Sequence, residues 1–147
     1  MPAKKCSYKG ITYDSKAEAG YHVELKAKKK RGEIGDIELQ PTWDLFGVEF
    51  ADSLDPTEIA RAVRVGKYTA DFRYFDTRQK EWVVVDIKGQ VPKTVTRRDG
   101  SKRRVAGGKG WTAFRLRCEL LKANYGIDVQ VIEGAPYTRL ATEMGIK

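Results

Sequence analysis

The sequence predicts a mixed α/β (α+β) fold in which helices flank one mixed β-sheet. Three observations lead there. Residues 15–32, "SKAEAGYHVELKAKKKRG", carry the start, stripe and stop of a helix. Residues 81–88, "EWVVVDIK", read as a strand with an apolar run too dense to face water. A second helical segment, "WTAFRLRCELLKANYG", runs straight into the strand pattern "IDVQVIEG". Helix, several strands, helix, strand is the order expected of a single mixed sheet with helices packed on it.

Taken along the chain, "SYKGITYD" predicts a short hairpin turning at Lys9-Gly10. In the first helix Ser15 suits the N-cap, Glu18 follows three residues on, and Gly32 ends it after a basic last turn. Ala17, Tyr21 and Leu25 make an i, i+4 stripe on one face. "IELQPTWDLF" predicts a strand with Pro41 at an edge or a bulge. "DSLDPTEIARAVRVG" reads as a connector, with Asp55-Pro56 able to start a short helix. "KYTADFRYFD" and "EWVVVDIKG" predict two strands joined as a hairpin over Asp76–Lys80. Residues 90–110 are polar, basic and glycine-rich, either a mobile loop or a protruding hairpin turning at Asp99-Gly100. Gly126 closes the second helix, and the tail from Pro136 has room for one more.

The 147 residues suffice for one domain with a real core, so residues 1–147 are expected to form a single unit. Its 28 Lys and Arg against 20 Asp and Glu leave a charge of +8 and point to a polyanionic partner, nucleic acid first. The excess is local. From Lys88 to Arg117 there are ten cations and one acid, Asp99, a net +9, so the rest of the chain sums to −1. Cys6 and Cys118 are far apart and in no metal-ligand spacing, which suits a reduced, cytoplasmic protein and gives no support for zinc. His22, the single histidine, cannot build a histidine metal cluster. No apolar run reaches membrane-spanning length, so no membrane partner is expected.

The chemistry gathers at the end of the "WVVVDIK" strand. Alternation puts Asp86 and Lys88 on one face with Val84. An isolated D-x-K is most simply a structural ion pair. Asp71, in "YTADF" on the neighbouring strand, changes the balance, because two converging aspartates repel unless a cation lies between them. A hard divalent cation with oxygen ligands answers that, and magnesium accepts few carboxylates plus water and phosphate oxygens. Lys88 would then face a metal and a phosphate.

Asp71 followed by "VVVDIKG", with Asp86-x-Lys88, resembles the PD-(D/E)XK (restriction-endonuclease-like) nuclease superfamily. The ordered set "YDSKAEAGYHVEL", "IELQP", "KYTADFRYF", "VVVDIKG" and "FRLRCELLKANYGIDVQVI" is similar to small phage-encoded endonucleases and to Holliday-junction-resolvase-like proteins. The resemblance spans about Tyr8 to Ile132, with Ala70 where the superfamily motif names a proline. It implies an αβββαβ core and a magnesium-dependent endodeoxyribonuclease, with manganese able to substitute. It also implies that Asp71 and Asp86 bind the metal with the Ile87 backbone carbonyl, that Lys88 is the catalytic lysine, and that Glu18 joins from the first helix as in archaeal-type Holliday-junction resolvases. The expected substrate is branched or structured DNA, the expected assembly a homodimer with two active sites, and the expected setting phage DNA recombination or processing in the host cytoplasm.

Other readings stay open at this stage. Ser15-x-x-Glu18 is a capping box, which would claim the Glu18 carboxylate for the helix end. Gln40 is either a hydrogen-bonding accessory near the metal or a polar residue at a strand end. Lys93, Arg97, Arg98, Lys102, Arg103, Arg104, Lys109, Arg115 and Arg117 are expected to meet phosphates, which gives affinity without base sequence. Trp111 and Phe114 stack on bases or, more commonly on a helix face, fill a core. The rival functions are a less selective DNA-processing nuclease and a nucleic-acid-binding module that keeps the fold without catalysis.

Overall fold

The computed structural model describes residues 4–50 and 60–147. Strands β1 (Cys6–Tyr8) and β2 (Ile11–Tyr13) form the expected hairpin. Its turn puts both Lys9 (φ 48°) and Gly10 (φ 81°) in the left-handed region, as a two-residue turn matched to strand twist requires. Helix α1 (Lys16–Lys30) follows, then β3 (Ile34–Leu39), β4 (Thr42–Phe50), β5 (Ala60–Thr69), β6 (Phe72–Asp76) and β7 (Glu81–Lys88). After these come β8 (Lys93–Thr96), β9 (Lys102–Val105), α2 (Trp111–Tyr125), β10 (Val129–Glu133) and α3 (Ala135–Glu143).

The central sheet has the order β10-β7-β6-β3. β10 runs parallel to β7, and the other neighbours are antiparallel. The order α1, β3, β6, β7, α2, β10 is therefore αβββαβ around one mixed sheet. The alternation of β7 divides the core. Val83 and Val85 turn to the α1 face with Tyr21, Leu25, Ile34, Phe72 and Tyr74. Val84 turns the other way, toward Phe114 and Leu121 of α2 and toward Leu45, Tyr68 and Ala70. α3 lies across α1, with the Tyr21 and Tyr137 rings edge to face at 4.9 Å. Gly20 permits that approach, since a Cβ there would stand 2.0 Å from the Tyr137 carbonyl oxygen.

Three of the expected segments fold differently. "IELQPTWDLF" is two strands, β3 and β4, with the break at Gln40-Pro41. Residues 60–66, expected to be connector, are part of strand β5, and the helix start at Asp55-Pro56 lies outside the described residues. Asp71 sits between β5 and β6 rather than within a strand. All three have one cause. Chain segments 34–50 and 60–76 form one long antiparallel ribbon bent at its middle: Leu39 pairs with Phe72 below the bend and Thr42 with Thr69 above it. Gln40 N–H donates to the Asp71 carbonyl and Ala70 N–H to the Pro41 carbonyl, so the two halves stay connected. Pro41 has no N–H to continue the ladder and Gln40 has φ 50°, so the ribbon must turn there. The register shifts lie within the arms and not at Pro41: between Ile34 and Ile37 below the bend, and above it where Leu45 pairs with Gly66 and Phe46 with Arg64.

Residues 90–110 hold the hairpin alternative. Among the described residues β8 and β9 pair only with each other, and Asp99 Oδ1 accepts from both the N–H and hydroxyl of Ser101 to fix the turn. Among the described residues no helix is long and apolar enough to cross a membrane. Cys6 and Cys118 are free thiols.

Candidate active site

The bend in the ribbon is what assembles the site. β6 begins at Phe72, paired with Val85, and the ladder toward β7 would continue at residue 70 opposite residue 87. The chain turns away there instead. Asp71 N–H still donates to the Val85 carbonyl at 3.1 Å, and the Asp71 side chain bends onto β7, where Oδ2 accepts the Ile87 N–H at 2.7 Å. A carboxylate thus takes the place of a strand carbonyl and is held next to Asp86. Ile87 enters the site through this N–H. Its carbonyl, which the resemblance implies as a ligand, belongs to the next peptide unit.

Asp86 is 4 % exposed and ends the buried run of β7. Its Oδ2 accepts a 2.6 Å hydrogen bond from the buried Tyr68 hydroxyl, and its Oδ1 meets Lys88 Nζ at 3.0 Å. The simple ion-pair reading of D-x-K is therefore realised in the structure. Lys88 also lies over the face of Phe114, 4.2 Å from the ring centre, which fixes the ammonium above the α2 side of the sheet. The expected alternation of Val84, Asp86 and Lys88 on that side holds.

Glu18 makes contacts at the helix cap and also lies near the aspartates. Its N–H donates to the N-cap Ser15 Oγ at 3.2 Å. Its carboxylate reaches back at 3.4 Å to the Asp14 N–H, one residue before the cap, and to the Ser15 hydroxyl. It is also 9 % exposed and close enough to Asp86 and Asp71 to feel both charges. Burial first, and the Asp14 charge next, push its carboxyl up to about 7. Asp71 is raised for the same kind of reason: burial, then the charges of Asp86 and Glu18, against which the Ile87 N–H pulls down. A side-chain hydrogen bond with Asp86 adds to the rise by favouring the protonated form of Asp71.

Three acids from α1, the ribbon bend and β7 are thus crowded together, and Lys88 is the cation at hand. Among the described residues no group of three or more His, Cys, Asp and Glu forms a ready cation cage. Magnesium asks for less, one or two carboxylates with water and phosphate oxygens completing the shell. The Asp71–Asp86 pair offers that number, and a cation between the two would relieve the repulsion that raises Asp71. On the chemistry of its donors the site fits such an ion.

The model of a family described as proteins of unknown function, DUF1064, matches residues 1–105. The chain belongs to this family. The matched DUF1064 region contains Glu18, Asp71, Asp86, Lys88 and the β8–β9 ribbon, and ends before α2. No curated protein and no solved structure matches the chain.

The remaining candidates divide. Gln40 lies beside the site: its N–H holds the Asp71 carbonyl, and its Nε2 donates to Asp14 Oδ2 at 3.3 Å. His22 does not join it. It is 6 % exposed, bonded to the Tyr13 hydroxyl through Nδ1 at 2.6 Å, and burial lowers it to about 4, so it is a neutral core histidine. Arg97, Arg98, Lys102, Arg103 and Arg104 stand exposed on the β8–β9 ribbon, and Lys93 is tied at its root to Glu133 at 3.0 Å. Lys109 and Arg117 border the region around Lys88, whereas Arg115 is exposed elsewhere on α2. Phe114 is core, and Trp111 is half-buried at the α2 start.

Sequence reasoning missed Tyr68 and Asp14. Tyr68 looked like one more aromatic in a strand. Its two-residue offset from Ala70, on one side of an extended segment that leads to Asp71, was the available signal.

Proposed function

We propose that this protein is a metal-dependent DNA endonuclease of the PD-(D/E)XK kind. The observation that carries the reading is the Asp71 carboxylate bonded to the Ile87 N–H, because it unites Asp71 with Asp86 and Glu18 at the end of the central strand. A purely structural ion pair needs Asp86 and Lys88 alone and gains nothing from the buried Glu18 and the half-buried Asp71 beside it.

On this reading Asp71 and Asp86 hold magnesium, or manganese in its place, with the Ile87 carbonyl and Glu18 as further donors. When bound, the ion supplies positive charge that acidifies water and polarises a phosphoryl oxygen. Tyr68 keeps Asp86 in one orientation through its 2.6 Å hydrogen bond. Lys88 exchanges its contact with Asp86 for the phosphate and offsets the charge growing on the non-bridging oxygens. Hydrolysis joins the water oxygen to phosphorus and breaks the bond to the 3′ oxygen, leaving a 5′-phosphate. The exposed cations of the β8–β9 ribbon hold flanking phosphates by charge alone, which favours a substrate chosen by shape over one chosen by sequence. Branched DNA in phage recombination or processing suits that, with a homodimer supplying two cuts in the host cytoplasm.

One observation favours the binding-only alternative, namely that both oxygens of Asp86 already have partners within the chain. The deciding experiment compares a four-way junction with a linear duplex of the same arms, in magnesium and in manganese. Cutting of the junction that Asp86→Ala abolishes while DNA binding survives is the expected result. A wild-type protein that binds DNA and cuts neither substrate with either metal removes the enzyme reading, and equal cutting of both leaves the less selective nuclease.

A further inference from the structure

Beside Lys88 opens a cavity of about 220 Å³ whose walls include Gln90, Gly108, Lys109, Trp111 and Arg117. Its lining contains three cations and no acid. Lys88 is paired with Asp86, but neither Lys109 nor Arg117 has an acidic partner among the described residues. Unpaired cations around a concave surface are costly through mutual repulsion and become favourable when an anion enters.

The backbone there is built for close approach. Gln90 ties both roots of the β8–β9 ribbon to the rim, its carbonyl accepting from Gly108 N–H at 3.2 Å and its Nε2 donating to the Ala106 carbonyl at 2.8 Å. Gly107 must lack a side chain, since a Cβ would lie 2.5 Å from the Trp111 ring. Gly110, with φ 80°, opens α2 without a side-chain cap, and the first turn of α2 carries no acid. The early N–H groups of that turn add to the positive potential of the cations.

We propose that this cavity is a phosphate subsite, and that it seats an internal phosphodiester of the DNA strand next to the one cut at Asp71 and Asp86. The assignment rests on the nuclease reading for the word "cut" and on the cavity for the word "phosphate". Lys88 is the shared wall: its ammonium touches Asp86 and the residue also lines the cavity, so anions on its two sides belong to neighbouring positions of one strand. Trp111, half-buried on the same wall, gives the adjoining sugar or base an apolar surface.

The test is binding of the full chain to a short labelled duplex in chelator, by fluorescence anisotropy over a range of salt. Lys109→Gln with Arg117→Gln is compared with Lys26→Gln with Lys30→Gln, which removes the same charge from exposed positions of α1. Thermal melting confirms that each variant is folded. The cavity variant is expected to bind about tenfold more weakly at low salt, with a salt slope reduced by roughly 0.9, one phosphate's worth. A duplex series with one neutral methylphosphonate linkage moved along the strand should reveal one position that weakens the wild type and the α1 variant but not the cavity variant. Wild-type affinity in the cavity variant, or a loss equally sensitive to every linkage, overturns the subsite. A duplex whose 5′-phosphate is replaced by a hydroxyl covers the other source, and weakening by that change alone overturns the internal assignment in favour of a strand end. Since every readout is binding, the subsite can fail while the wild type still cuts DNA, and cutting can be absent while the subsite stands.

Discussion

Tyr68 and Glu18 decide how the candidate site behaves one group at a time. Tyr68 is 2 % exposed, and its hydroxyl has Asp86 as partner, so burial and the adjacent charge both push its own ionisation far up and keep it a donor. Replacing it with phenylalanine leaves the ring packing and deletes one hydrogen bond to a buried carboxylate, a loss of about 1.5–3 kcal/mol for a charged acceptor. Under the proposed nuclease reading, Tyr68→Phe is expected to lower kcat by roughly ten- to a hundredfold while DNA affinity stays near wild type. Steady-state cleavage with a parallel binding titration checks it, and a fall in affinity with unchanged kcat would show that Tyr68 does not act through Asp86. Glu18 illustrates why sequence reading left its role divided. Ser15-x-x-Glu18 does specify a cap from local spacing, but the depth to which the first turn of α1 is buried near β7 depends on packing between segments half the chain apart.

At the level of elements, the helices and hairpins with strong local signals appear where the sequence put them. α1 follows Ser15, α2 ends at Gly126 with φ 70°, and the Lys9-Gly10 and Asp99-Gly100 turns close their hairpins. The failures cluster at Gln40-Pro41 and Ala70-Asp71, where one ribbon bends and periodicity gives no sign of which sheet each half joins. A second case is Gly20. In sequence it is only a weak point in a helix, since glycine costs about 1 kcal/mol relative to alanine there. In the fold it is where α3 crosses α1, with no room for a methyl group against the Tyr137 carbonyl. Gly20→Ala should thus destabilise the protein despite its better helix propensity, by about 1–3 kcal/mol as overpacking usually does. Urea unfolding measures this, and a stabilised variant would mean that α3 does not pack here in solution.

For the molecule as a whole, the crowding of Glu18, Asp71 and Asp86 sets a dependence on pH, and the proposed metal site adds an expected dependence on cations. Glu18 rises from its ordinary 4.5 to about 7 on folding. The folded state therefore holds its proton more tightly than the unfolded state does. Its stabilising contribution is complete below 4.5 and is lost as pH rises through 7. Asp71 shifts in the same direction. In chelator the melting temperature should fall between about pH 5 and pH 8. Magnesium should raise it more at the higher pH, because a bound cation favours the charged carboxylates and stabilises by mass action. Asp71→Asn is expected to raise the chelator value at pH 8 and to cancel most of the magnesium effect. A flat pH profile with no magnesium shift would mean that the acids are not coupled as described. Read alone, the sequence determined the mixed fold, the order of helices and strands, the basic segment 90–110 and the identity of Asp71, Asp86 and Lys88, because propensity, periodicity and charge are local properties. Only the tertiary structure decided that Asp71 reaches Ile87 from a ribbon bend, that Glu18 caps its helix and faces the aspartates together, and that Lys88 joins the acids to a basic cavity. Those depend on which strands pair and where a ladder stops, and hydrogen bonding across long separations leaves no local mark in the chain.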